Sequence, residues 1–124
     1  MASKFLVKKT KTGFVFHLKA TNGETIATSE VYATNSGAVK GIKSVIQNSQ
    51  GACIEDTTKE KYEKCTNPKF QIYKDKAGEF RFRLKAKNGK NIVASEGYSS
   101  LKSCQNGIAS VQKNAPSSAI EMDW

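Results

Sequence analysis

A chain of 124 residues, 38% hydrophobic and 25% charged with two prolines, has the make-up of one small globular core and not of a disordered tail. Its apolar runs fall far short of a bilayer-spanning helix, and the opening Met1-Ala2-Ser3-Lys4-Phe5-Leu6-Val7-Lys8-Lys9 is too short in apolar residues for a secretory signal. We therefore expect a cytoplasmic protein with no membrane partner. A net charge of +9 permits nucleic acid or an acidic protein as partner, and serves solubility equally well.

The first predicted strand is Phe5-Leu6-Val7-Lys8. The second runs from Phe14, with Phe16, Leu18 and Ala20 facing one way and Val15, His17 and Lys19 the other, the period of two of a half-buried strand. Asn22-Gly23 predicts a type I′ hairpin turn, because both residues tolerate positive φ. Thr25 to Glu30 is a third strand. Thr34 then caps a helix whose apolar positions Ala38, Ile42 and Val45 recur at helical spacing. Gly41 lies inside that helix, where glycine costs about 1 kcal/mol against alanine, and so signals close approach to the sheet. Asn48 suits the helix end, and Cys53-Ile54-Glu55 reads as a short fourth strand. Residues 57–68 form a polar linker of mixed charge with no counterpart elsewhere in the chain.

Beyond the linker the pattern returns. Phe80 to Gly89 repeats Phe14 to Gly23 at an offset of 66 residues, and the same offset relates Asn91–Glu96, Ser100, Gly107 and Ala119-Ile120-Glu121 to their first-copy equivalents. The new helix carries Cys104, Ile108 and Val111 on its apolar stripe, and Asn114 and Pro116 end it. Phe70-Gln71-Ile72-Tyr73 repeats the first strand one residue closer, the difference falling in the turn before Phe80. The chain is thus read as two β-β-β-α-β units, residues 1–56 and 69–124. Each is of a size at which an isolated domain is marginal. The expected fold class is α+β: a tandem duplication forming one continuous antiparallel sheet with two helices on one face.

Three long motifs, each present twice, carry a resemblance. They are Phe-x-Phe-x-Leu-Lys-Ala-x-Asn-Gly from Phe14 and from Phe80, Ser-Glu-x-Tyr from Ser29 and from Ser95, and Gly-Ile-x-Ser-Val-x-x-Asn from Gly41 and from Gly107. In these the chain resembles the YegP-like family, also called DUF1508 or UPF0339. The resemblance implies repeats joined in one sheet with exchanged C-terminal strands, which places Ile54 beside the second unit and Ile120 beside the first. It implies no activity.

No GxSxG elbow, Walker loop or HExxH motif occurs, so no enzyme is expected. Cys53, Cys65 and Cys104 form no CxxC pair and His17 is the single histidine, so neither a metal nor a cofactor is expected, and the pattern suits a reducing compartment. Cys53 and Cys104 align with alanines and read as small buried hydrophobes, whereas Cys65, in the linker, reads as an accessible thiol. His17 gives way to Arg83 in the second copy and reads as a surface residue. Glu30 and Glu96 are either paired acids converging on a ligand or enzyme site at the repeat interface, or strand-end carboxylates that pair with lysines. Arg81, Arg83 and Lys85 project from one strand face, with Lys19 in the other copy and Tyr73 of matching parity. Such a face suits single-stranded nucleic acid, or is simply solvated. The leading expectation is a non-enzymatic binding or structural module. It is expected to be a monomer whose repeats pair within the chain, with a domain-swapped dimer as the alternative.

Overall fold

The computed structural model describes residues 3–123. Three strands, β1 (Lys4–Lys9), β2 (Phe14–Lys19) and β3 (Thr25–Ser29), are followed by α1 (Asn35–Ser49) and β4 (Cys53–Asp56). The second half repeats this as β5 (Lys69–Lys74), β6 (Phe80–Lys85), β7 (Asn91–Ser95), α2 (Leu101–Asn114) and β8 (Ala119–Asp123). All eight strands make one sheet in the order β4-β5-β6-β7-β3-β2-β1-β8.

The sheet is mixed, which corrects the all-antiparallel expectation. Within each half the hairpins pair antiparallel, but β4 runs parallel to β5 and β8 parallel to β1. The helices cause this. Fifteen residues of α1 carry the chain roughly 22 Å, four or five strand spacings. The helix touches β1 and β2 at one side and β5 to β7 at the other. A chain delivered to the far edge by such a crossover can join its neighbour in parallel, which no tight hairpin allows. At the centre Thr28 lies opposite Ala94, flanked by Ala27 opposite Ser95 and Ser29 opposite Val93. Thr28 and Ala94 are equivalent positions of the two halves, so a pseudo-twofold axis passes between them.

One face of the sheet is the core. Phe5, Val7, Phe16 and Leu18 on one side, and Phe70, Ile72, Phe82 and Leu84 on the other, are all fully buried. They join Ala38, Ile42, Val45, Cys104, Ile108 and Val111 of the helices in one continuous cluster. Both helices therefore lie on the same face. A bulge between β2 and β3 lets consecutive residues Ile26 and Ala27 both bury, and Ile92 and Val93 do the same beside β6. The helix caps form as read: the Thr34 hydroxyl accepts from Gly37 N at 3.0 Å, and the Ser100 hydroxyl from Ser103 N at 3.1 Å. A Cβ at Gly41 would collide with the Tyr32 hydroxyl and lie 3.0 Å from the Phe16 ring. At Gly107 the Tyr98 hydroxyl and the Phe82 ring take those places. Each glycine makes room for a tyrosine tip beneath its helix.

The Asn-Gly turns are not type I′. Gly23 and Gly89 have φ of 85° and 84°, but among the described residues no other residue type takes positive φ. Gly23 N donates to Ala20 O at 2.9 Å, and Ala20 N to Glu24 O at 2.9 Å, so the loop has three residues and only its last is left-handed. Asn22 holds ordinary backbone angles and instead accepts from Glu24 N through Oδ1 at 3.0 Å.

The cysteines also differ from expectation. Cys53 is exposed and is joined to Cys65 in a disulfide across a sequence separation of 12. Cys53 lies opposite Lys69, on the face away from the helices, so its alignment with an alanine gave no burial. Cys65 is accordingly not a free thiol. Cys104 is free and buried, as read. Residues 57–68 contain no helix. They are tied down by Thr57 N donating to Ile72 O at 3.0 Å and by the disulfide.

Candidate binding face

With both helices on one side, the other side of the sheet carries strand side chains, and the linker folds over its β4–β5 end through Cys65. Strand register sets one row straight across it: Glu55, Gln71, Arg83, Ala94, Thr28, His17, Leu6 and Glu121. The row is pseudo-symmetric. Arg83 and His17 are equivalents, as are the terminal acids Glu55 and Glu121.

Arg81, Arg83 and Lys85 stand on this face because β6 alternates them with Phe80, Phe82 and Leu84. Tyr73 lies opposite Arg81 on β5, and the Arg83 guanidinium sits over its ring at 4.1 Å from the centroid. The expected grouping of Tyr73 with the arginines is therefore present. Arg81 is already committed. Its Nε donates to Asp75 Oδ2 at 2.7 Å and a terminal nitrogen to Ser95 O at 3.3 Å, and that bond holds the Asp75 carboxyl below the usual carboxylate range. Arg83 differs: its Nε is buried and lacks a hydrogen-bond partner among the described residues. Lys85 and Lys19 make no ion pair among the described residues. Lys19 is three strands from β6, roughly 14 Å across the sheet, so it belongs to the same face but not to the Tyr73–Arg83 cluster. His17 donates to or accepts from Thr28 Oγ1 at 2.9 Å, and burial, followed by Lys8 and Lys19, pushes its pKa down. It sits neutral at pH 7, where Arg83 is charged.

Glu30 and Glu96 do not converge. β3 and β7 run antiparallel with Ala27 opposite Ser95, so the two acids leave opposite ends of the pair, about 13 Å apart along the strands. Glu30 lines a groove beside α1, while Glu96 acts electrostatically on His17 and Tyr98.

One network had no signal in the sequence. Glu55 is 2% exposed and accepts from Cys65 N at 2.8 Å, Lys69 Nζ at 2.8 Å and Gln71 Nε2 at 2.7 Å. Burial alone raises a carboxyl pKa, but these three donors and the Lys69 charge bring it down to about 2. Its pseudo-symmetric twin is the exposed pair of Glu121 with Lys4 at 3.2 Å. The four residues occupy equivalent positions, but nothing in the sequence pairs them; contact between β4 and β5 and between β8 and β1 does. Among the described residues no cluster of three or more metal-ligating side chains occurs, and no helix is long and apolar enough to cross a membrane.

A family model described as a domain of unknown function, DUF1508, matches the chain twice, at residues 10–56 and 75–121. The chain is 43% identical over 116 residues to the UPF0339 protein YegP of Yersinia pestis, covering 93% of this chain and 90% of that one. It is 66% identical over 50 residues to the UPF0339 protein in ptx operon 5'region of Stutzerimonas stutzeri, 40% of this chain and 45% of that one. Among solved structures, that of yegP from E. coli, titled a protein of unknown function, superposes with a TM-score of 0.78 at 36% identity, covering 99% of this chain and 94% of that one.

Proposed function

This chain belongs to the DUF1508 family, whose description assigns no activity, and on that premise we propose that it is a non-enzymatic module that binds a single-stranded polyanion, nucleic acid first, on its open sheet face. The observation that carries this reading is the Tyr73–Arg83 stack on a helix-free face, with Lys85 on the same strand and Lys19 farther across the sheet, neither in an ion pair among the described residues. A base laid on the guanidinium extends an aromatic–cation stack, while lysines follow the phosphates. Association with labelled single-stranded DNA, duplex DNA and RNA over a range of salt tests it, with Arg81→Ser/Arg83→Ser as the companion variant. Steep salt dependence and loss in the variant support the reading. Preference for an acidic peptide over every nucleic acid would transfer the face to a protein partner.

We further propose that the halves complete each other by exchanging their last strands within a monomer. The pairing of β4 with β5 and of β8 with β1, and the repeated Glu55–Lys69 and Glu121–Lys4 contacts, support this. Sedimentation of the whole chain checks the monomer. Concentration-dependent dimers would favour swapping between chains. The location we propose is the cytoplasm, where nucleic acid is at hand; the Cys53–Cys65 bond would there exchange with cellular thiols, which alkylation trapping reads directly.

A further inference from the structure

On the helix side, a groove of about 620 Å³ separates the first half of α1 from the β6–β7 hairpin of the other repeat. Tyr32, Ile92 and Ala86 give it an apolar floor, and its size suits a small molecule, not a polymer. Lys40 on the helix and Lys90 on the hairpin flank it, with Glu30 also on its lining. Neither lysine forms an ion pair among the described residues. The duplication supplies an internal control. At the equivalent positions of the other half stand Asn106 and Glu24, with Glu96 for Glu30, so the sister position holds no lysine and two acids. The uncharged floor is the same in both: Gly41 and Gly107, Tyr32 and Tyr98, Ile92 and Ile26, and Ala86 and Ala20 are equivalent pairs. Besides the two lysines, the lining differs between the halves only at Gly37, where Ser103 stands in the other half, and at Asn91, where Thr25 does.

We propose that this groove is a binding site for a small aromatic anion, with its carboxylate or phosphate between Lys40 and Lys90 and its flat apolar body over Tyr32 and Ile92. Two ammonium groups on opposite walls hold one anionic group between them, and Glu30 accepts from a donor at the other end of the ligand. The site is independent of the open sheet face.

Amide shifts of the whole chain, titrated with indole-3-acetate, phenyl phosphate and uncharged indole-3-acetamide, test it. Saturable shifts are expected at Gly41, Ser44, Asn91 and Ile92, and not at Gly107, Ser110, Thr25 and Ile26. The neutral amide should bind roughly ten-fold or more weakly. Lys40→Asn/Lys90→Glu installs residues that the other repeat already carries at those positions, and should weaken both anions by a similar factor with spectral dispersion kept. Arg81→Ser/Arg83→Ser should leave these shifts unchanged, which separates this groove from the open face. Equal shifts in both grooves, shifts indifferent to the lysine variant, or no shifts with either anion would each overturn the proposal.

Discussion

A carboxylate taken out of water must recover its hydrogen bonds inside the protein, and Glu55 does so with three donors, two of them from β5 and one from the linker. Its pKa near 2 in the fold lies below the 4.5 of a free side chain, so between those values the unfolded chain binds more protons. The stabilisation is complete above about pH 5 and is lost as pH falls toward 2. Urea unfolding as a function of pH should show that loss. Glu55→Gln should remove its acid-side slope and cost about 3 kcal/mol at neutral pH, because Lys69 is left without its partner. Cys104 offers a second residue-scale check. Burial pushes its thiol up to about 11, and the other two cysteines are bonded to each other. An aromatic disulfide reagent should find no thiol in the native protein and one after unfolding.

At the scale of elements, the glycines inside the helices matter most. Alanine at Gly41 or Gly107 gains about 1 kcal/mol of helix propensity but meets a tyrosine hydroxyl and a phenylalanine ring. We expect each variant to lose a net 1 to 3 kcal/mol, roughly, in urea unfolding. An unchanged or raised midpoint would mean that the helix can lift off the sheet. These elements were legible in the sequence because their signals are local: alternation in β2 and β6, hydroxyl caps at Thr34 and Ser100, glycines at a fixed offset. The parallel edges were not, since strand direction depends on where a helix delivers the chain. The turn type was missed because Asn-Gly fits both a two-residue and a three-residue loop, and only register decides between them. The Cys53–Cys65 bond was hidden for a related reason: one partner sits in the segment that the duplication does not explain. Reducing that bond releases a loop closed across 12 residues and should lower stability by up to roughly 3 kcal/mol, read as a shifted urea midpoint with and without a dithiol.

For the molecule as a whole, duplication has produced two halves with one scaffold and different surfaces. The shared row across the open face holds neutral His17 on one side and charged Arg83 on the other. The Arg83 side adds Tyr73, so the proposed binding face is lopsided, centred on the second repeat with Lys19 at its margin. That grouping was legible from strand parity, whereas the commitment of Arg81 to Asp75 was not, because it depends on the turn between β5 and β6. The most direct measurement is the anisotropy of labelled single-stranded RNA and DNA titrated with the whole chain at rising salt, alongside Arg83→Ser and Tyr73→Ser. Binding that falls steeply with salt, and that is lost with Arg83 or Tyr73 while the fold is kept, is the predicted result. No association even at low salt, or association unchanged in both variants, would contradict it.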